Sequence, residues 1–256
     1  MYFWTMTKIV LIGSGNLAFH FYKQISSCQS LSLVQWYSRK LENINFAKDQ
    51  VKITDQLSQL LAADLYLICV SDDAIEGVSN KIKTRELIVH CSGALSIESL
   101  QGYSRKAVLY PLQSFSKDQR LSFDQVPFCI ESQNPKDQDL LTQIVKSLGG
   151  IPHYIDSQKR AVIHLIAVMM NNFGNHLMHL GQDLSEEHKI PFSIFHPLLF
   201  QTYQKAIDQG PENSQTGPAL RQDQKTIEKH LGLLKDQNLK KLYNLLTSSI
   251  QKKHGQ

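Results

Sequence analysis

No apolar run in this 256-residue chain approaches the roughly 20 residues that a membrane-spanning helix requires, so nothing in it reads as a membrane span. Cysteine is scarce. Four thiols stand far apart, at Cys28, Cys69, Cys91 and Cys129, with no C-x-x-C pair, which argues against zinc and against a disulfide framework. Cys69 and Cys91 each sit in an apolar run with the character of a buried strand, as small thiols do in a reducing cytosol. An excess of one charge is also lacking: 27 basic residues against 23 acidic ones leave +4, and the basic residues are scattered without interleaved aromatics. A nucleic-acid-binding face is therefore not indicated, while a phosphorylated small molecule would suit the mild positive balance. Met1 to Lys8 are apolar but too short for a secretory leader and lack a basic start, so a cytoplasmic protein is expected. Internal repeats and low-complexity segments are absent too. What is present, 42% hydrophobic and 20% charged residues, is ordinary for a globular chain long enough for two modest domains.

The first part alternates short β-branched runs with helical patterns, which predicts a parallel sheet with crossover helices. Lys8–Ile12 is the first strand, ended by Gly13, and a helix follows over Asn16 to about Ser26 with Leu17, Phe21 and Ile25 at helical spacing. Further strands are predicted at Leu33–Tyr37, weakly at Val51–Ile53, at Leu65–Val70, Leu87–Cys91, Ala107–Tyr110, Pro127–Ile130 and Ile151–Ile155. A helix through Leu57, Leu60 and Leu61 is expected between the third and fourth, and Pro152 restricts the last strand to an edge. After about Ser157 the strand-like runs stop. Residues 158–182 form one apolar-rich helical stretch, a second runs through Leu198, Phe200 and Tyr203, and a last helix covers about Asn238–Gln251. Gly210–Asn213 reads as a loop, and Thr216-Gly217-Pro218 as a turn leading into helix. The expected organisation is an α/β domain over 1–156 and an all-α domain over 157–256.

Gly13-Ser14-Gly15-Asn16-Leu17-Ala18 follows the first strand directly and opens a helix. The first glycine permits a tight strand-to-helix turn and the second lets backbone approach a pyrophosphate. Ala18 at the third position still allows close helix–strand packing. The helix start adds unpaired N–H groups and the positive dipole end. This is the fingerprint of a Rossmann-type, doubly wound dinucleotide-binding sheet. At the end of the second strand, NAD sites place an acid for the ribose 2′-hydroxyl; this chain reads Tyr37-Ser38-Arg39-Lys40 with no acid before Glu42. Ser38 and Arg39 suit a 2′-phosphate, so NADP is favoured over NAD. Val70 and Ser71 at one strand end, and Ser92 in His90-Cys91-Ser92-Gly93-Ala94 at another, fall where the nicotinamide half would lie. Ser71 and Asp72 either touch the cofactor or cap the next helix. Pro111-Leu112-Gln113-Ser114-Phe115 would border the substrate space.

Gly13–Ala18, His90–Leu95, Tyr110–Phe115 and Thr216-Gly217-Pro218-Ala219-Leu220-Arg221-Gln222-Asp223 together resemble a family of bacterial proteins with an N-terminal Rossmann-like domain and a helical C-terminal domain of unknown function. Members are commonly described as NADP oxidoreductases. The layout is more distantly similar to pyrroline-5-carboxylate reductase, to deazaflavin-dependent NADP oxidoreductases and to β-hydroxyacid dehydrogenases, whose C-terminal domain is of the 6-phosphogluconate dehydrogenase type. The resemblance implies a helical domain that closes the active site and builds a homodimer. One departure stands out. The β-hydroxyacid dehydrogenases carry a general acid/base lysine four residues before an asparagine; if Asn172 matches that asparagine, Val168 occupies the lysine position, and Val168 transfers no proton.

His164 lies two helical turns before Asn172, so His164, Val168, Asn172, Asn175 and His176 are expected on one helix face. His164 is a candidate proton donor; the alternative is a polar helix face satisfied by neighbouring helices or a second subunit. Arg221 beside the Thr216-Gly217-Pro218 turn is a candidate clamp for a carboxylate or phosphate, with a helix cap and an Arg221–Asp223 pair as the alternative. No metal-ligand spacing appears. The expected function is NADP-dependent hydride transfer to or from a small, anionic substrate, with His164, Asn172 and Arg221 as catalytic candidates and Gly13, Ser14, Gly15, Asn16, Leu17, Ser38, Arg39, Val70, Ser71 and Ser92 holding the cofactor. A non-catalytic NADP-binding sensor or assembly protein is the alternative.

Overall fold

In the computed structural model, which describes residues 6–118 and 121–254, the first strand is β1 (Thr7–Ile12). Its residues alternate between two cores: Ile9 and Leu11 pack on one face of the sheet, Val10 and Ile12 on the other. Burial on both faces is what a run of consecutive apolar residues demands. β1 is followed by α1 (Asn16–Ser26), β2 (Leu31–Tyr37), β3 (Lys52–Thr54), β4 (Leu65–Ile68), α2 (Asp72–Ser79), β5 (Leu87–His90), β6 (Lys106–Pro111), β7 (Pro127–Ser132), α3 (Pro135–Ser147) and β8 (Ile151–Tyr154). These strands form one sheet in the order β3-β2-β1-β4-β5-β6-β7-β8. α1 and α3 supply Phe21, Ile25, Leu141 and Ile144 to one face, and α2 supplies Ile75 to the other. The sheet is thus doubly wound, as expected from the alternation of strands and helices.

Two details depart from the sequence reading. The sheet is not parallel throughout: β6 and β7 pair antiparallel, and β8 runs parallel to β7. A parallel return needs a crossover element; the described residues between β6 and β7 contain no helix, and the chain turns back instead. Pro152 sits in β8, the edge strand, where its missing N–H costs nothing. The helix expected through Leu57, Leu60 and Leu61 is a single 3-10 turn, Leu57–Gln59. Buried Gln35 of β2 takes its backbone partners: its amide nitrogen donates to Gln59 O at 3.2 Å, and its oxygen accepts from Leu61 N at 2.7 Å.

The chain divides into compact units over residues 1–175 and 176–256. In the first, α4 (Ser157–Ala167) leads into a π-helical stretch, Val168–Phe173. The apolar stripe that predicted a packed helix stands open: Leu165 is 57%, Met169 56% and Phe173 57% exposed. α5 (Gly174–Glu187) begins at the unit boundary, and the second unit continues with α6 (His196–Gln209), α7 (Pro211–Ser214), α8 (Gln224–Leu233) and α9 (Gln237–His254). The loop expected at Gly210–Asn213 contains the single turn of α7, because Pro211 is preset for a first helical position and Ser214 Oγ bonds Gly210 O at 2.7 Å. The turn at Thr216-Gly217-Pro218 does not lead directly into a helix. α8 starts only at Gln224, where the Asp223 carboxylate accepts from Thr226 N at 3.1 Å and caps it. No described helix is long and apolar enough to cross a membrane.

Candidate cofactor and active site

The turn after β1 is pinned from both sides. Gly13 N donates to Tyr37 O at 2.9 Å, and Trp36 Nε1 donates to Gly13 O at 2.6 Å, so β2 fixes the loop. Gly13 has φ of +120°, and a Cβ there would lie 2.1 Å from Cys69 O; only glycine fits. Ala18 is fully buried under α1, close against the sheet. Gly15 differs. A Cβ there would meet nothing within 4 Å, because the backbone borders open space. α1 also starts with no side-chain cap, which leaves its first N–H groups facing that space.

The space is a cavity of about 670 Å³ at the carboxyl ends of β1, β2, β4 and β5, where the strand order reverses between β1 and β4. Gly13, Ser14, Gly15, Asn16 and Leu17 line it from the loop, Ser38 and Arg39 from the end of β2, and Val70, Ser71 and Ser92 from the ends of β4 and β5. All ten cofactor candidates from the sequence therefore border one cavity, joined there by Tyr37, Lys40, Asn43, Cys69, Asp72 and Cys91 among others. Ser38 is buried, with Oγ 3.0 Å from Ser14 Oγ and 2.9 Å from Lys40 O, and Asn43 Nδ2 donates to Ser14 Oγ at 3.2 Å. Arg39 and Lys40 are exposed beside this hydroxyl cluster. Ser71 occupies the N-cap position of α2 without making a cap hydrogen bond. Hydroxyls, an amide and two cations at the second strand end fit a phosphate-bearing adenosine half, and uncapped amides beside a side-chain-free Gly15 fit a pyrophosphate. Asp72 is the one acid in the lining, and it lies in the first turn of α2 rather than at the end of β2.

Cys69 and Cys91 also face the cavity, side by side on neighbouring strands with their sulfurs 3.6 Å apart. They are free thiols, and burial pushes Cys69 well above the usual thiol range. His90, not a site candidate from sequence, shapes the next turn. It is fully buried; its Nδ1 accepts from Ser92 N at 3.2 Å, so Nε2 carries the proton and donates to Ser96 O at 3.2 Å. Burial first, and Arg160 second, lower its pKa to about 4 and keep it neutral.

A second cavity of about 640 Å³ lies between the end of β6 and the α4–π stretch. Tyr110, Leu112, Gln113 and Ser114 line one side; His164, Ala167, Val168, Asn171 and Asn172 line the other, with Ile163, Ile166 and Met170. No Lys, Arg, Asp or Glu is among them. The expected single face is corrected here. Asn171 lines the cavity and Asn175 does not; the chain winds as a π-helix over Val168–Phe173, so the α-helical spacing that placed Asn175 on this face does not carry through that stretch. His176 belongs to the second unit and is exposed. Val168, which takes the lysine position if Asn172 matches the hydroxyacid dehydrogenase asparagine, lines the cavity.

α4 is anchored just before His164. Buried Arg160 pairs with Glu131 of β7 and donates to Leu95 O and to Ser157 Oγ; Ser157 Oγ in turn bonds Glu131 at 2.7 Å and accepts from Ile97 N at 3.0 Å. His164, one turn further, places Nδ1 3.2 Å from the Tyr110 hydroxyl. Arg221 lies in the second unit, exposed and without an ion-pair partner among the described residues, while Asp223 is occupied in capping α8. Bonds from Thr226, with Arg221 nearby, hold the Asp223 carboxyl below its ordinary range. No group of residues suited to a metal ion occurs among the described residues.

Against solved structures, the chain aligns over 96% of its length with 98% of a "putative NADP oxidoreductase" from Bacteroides fragilis, at 33% identity and a TM-score of 0.87. The chain belongs to that protein's family. Its residues 126–250 match the model of a Domain of unknown function (DUF2520), which covers the end of the sheet domain and nearly all of the helical region. Two more distant structures share the fold. A reductive aminase from Aspergillus terreus, solved with NADPH and ethyl levulinate, matches at 15% identity and a TM-score of 0.71 over 98% of this chain and 96% of its own. A 1-pyrroline-5-carboxylate reductase from Streptococcus pyogenes matches at 13% identity and 0.62, over 97% and 98%. The family resemblance drawn from the motifs and the distant likeness to pyrroline-5-carboxylate reductase are both borne out. No protein of curated function matches the sequence.

Proposed function

We propose that this protein is an NADP-dependent oxidoreductase acting on a small carbonyl- or imine-type substrate. The observation that carries the reading is the hydroxyl, amide and arginine cluster of Ser14, Ser38, Arg39 and Asn43 at the second strand end of a cavity whose glycine loop leaves room for a pyrophosphate. When bound, NADPH supplies a hydride. The chain's own part is to seat the phosphates at α1 and the 2′-phosphate at Ser38 and Arg39, and to provide a proton and a neutral, partly apolar pocket at Tyr110, His164 and Asn172. The family relationship and the NADPH-bound fold neighbour support the choice of cofactor. Residues 1–156 would hold the cofactor and 157–256 the substrate and a second subunit.

The test is titration with NADPH and NADH, followed by nicotinamide fluorescence, for the wild type and Arg39→Ala. NADPH is expected to bind more tightly than NADH, and Arg39→Ala to lose NADPH affinity selectively, by about tenfold or more for a charge-assisted phosphate contact. A wild-type preference for NADH would overturn the assignment. Val168 in the second cavity favours one other reading, a non-catalytic NADP-binding protein. NADPH binding without consumption across a panel of benzaldehyde, cyclohexanone, 1-pyrroline and pyruvate would favour it.

A further inference from the structure

We propose that the Tyr110 hydroxyl is the proton donor of this site, with His164 as the relay that restores its proton; this rests on the oxidoreductase reading above. Tyr110 stands at the carboxyl end of β6, which runs parallel to β5, so its ring lies at the same sheet end as the cofactor cavity. Gly93 stands between residues of the two linings. Ser92 lines the first, and Gly93 follows it: a Cβ on Gly93 would lie 2.7 Å from His164 Nδ1 and 2.8 Å from Tyr110 Cζ. The tyrosine and histidine therefore occupy the space that a side chain at 93 would fill, directly beside the end of the cofactor cavity, and both line the second cavity. Their polar atoms are 3.2 Å apart, with the rings edge-on.

The chemistry suits a reduction. The titratable groups facing the phenol are His164 of α4 and Cys129 of β7; Gly93 on the β5 side contributes none. Burial, and to a lesser degree Cys129, raise the Tyr110 pKa, so the phenol keeps its proton at neutral pH. A carbonyl carbon that accepts a hydride from the nicotinamide turns its oxygen into an alkoxide far more basic than a phenolate. That oxygen takes the Tyr110 proton as the C–H bond forms; the phenolate oxygen recovers a proton from Nδ1–H of His164, and the histidine regains one from solvent. The sum is carbonyl plus NADPH plus one proton giving alcohol plus NADP+. Val168, where the hydroxyacid dehydrogenases carry their lysine, cannot take this role, and no acid or lysine in the cavity lining competes for it.

Two measurements on Tyr110→Phe and His164→Gln test the proposal. The first is the infrared C=O band of benzaldehyde added to the NADP+ complex, which cannot reduce it. The band is expected to shift to lower wavenumber in the wild type and to return toward its solution position in Tyr110→Phe. An unshifted wild-type band, or a shift retained in Tyr110→Phe, overturns the assignment. The second is turnover with NADPH and the most reactive compound of the panel. Tyr110→Phe is expected to lower kcat about 100-fold or more with KM little changed, and His164→Gln to lower kcat about 10-fold; unchanged kcat in His164→Gln overturns the relay. 3-Fluorotyrosine at 110, a stronger acid of nearly the same shape, should move the alkaline limb of the pH profile to lower pH, which a merely structural tyrosine would not do. NADPH titration of the same variants separates the failures: a wild type that does not bind NADPH removes the cofactor reading as well, whereas full binding with unchanged turnover in Tyr110→Phe removes this inference alone.

Discussion

At the scale of single residues, a neutral, buried group helps to shape this site as much as the exposed cations do. That group is His90. It is fully buried, its Nδ1 orders the turn that carries Ser92, and its pKa falls from 6.5 to about 4. The unfolded chain therefore takes up a proton between pH 6.5 and 4 that the folded chain refuses, so stability falls as pH drops through that window and levels off below it. A shift of this size corresponds to about 3 kcal/mol. Urea unfolding at several pH values should show His90→Gln losing less stability than the wild type between pH 6.5 and 4, although it begins from a lower value at neutral pH. Equal slopes in the two proteins would remove His90 as the cause. His90 was visible in the sequence only within the strand Leu87–Cys91 and at the head of the His90–Leu95 motif. Its role depends on the way the following turn folds back over it, and no spacing encodes that. Tyr110 was legible only as the strand end before Pro111–Phe115, the segment expected beside the substrate space, and its partner His164 lies 54 positions away on another element.

At the scale of elements, the loop–helix unit was legible because its reasons are local: a glycine with positive φ, a helix start without a cap, an alanine packed on a strand. The elements that the sequence misplaced were decided by distant side chains. Gln35 holds Gln59 and Leu61 and keeps that stretch from becoming helix. α4 depends on such a tie as well, since Arg160 bonds Glu131, Leu95 and Ser157 from a fully buried position. Removing one member of a buried ion pair leaves the other without a partner, at a cost of about 3–5 kcal/mol. Arg160→Met should lower unfolding free energy by that order, and the double variant Arg160→Met, Glu131→Gln should recover part of it. NADPH affinity should change little, because neither residue lines the cofactor cavity. A double variant no better than the single one would show that the pair itself is not the source of the loss.

At the scale of the whole molecule, the helical stretches expose apolar side chains that a lone protein in water would bury. Leu165, Met169 and Phe173 stand open in the first unit, and Leu198, Phe200 and Ile207 in the second. Large apolar side chains exposed along a helix mark a surface that meets another molecule, and we propose that for the stretch carrying Leu165, Met169 and Phe173 it is a second copy of this chain. Light scattering after size exclusion should give a dimer mass, and Met169→Asp should shift the population toward monomer; a monomeric wild type at micromolar concentration would overturn the proposal. The sequence by itself determined the doubly wound sheet, the glycine loop, ten of the residues that line the first cavity and the family, because all of these follow from short-range patterns in which each strand or turn carries its own signal. Only the tertiary structure decided the antiparallel turn at β7, the π stretch over Val168–Phe173, and the pairing of Tyr110 with His164 against Gly93. Those depend on which distant groups satisfy buried polar atoms and fill the space a glycine leaves, and that is settled only when the chain has packed.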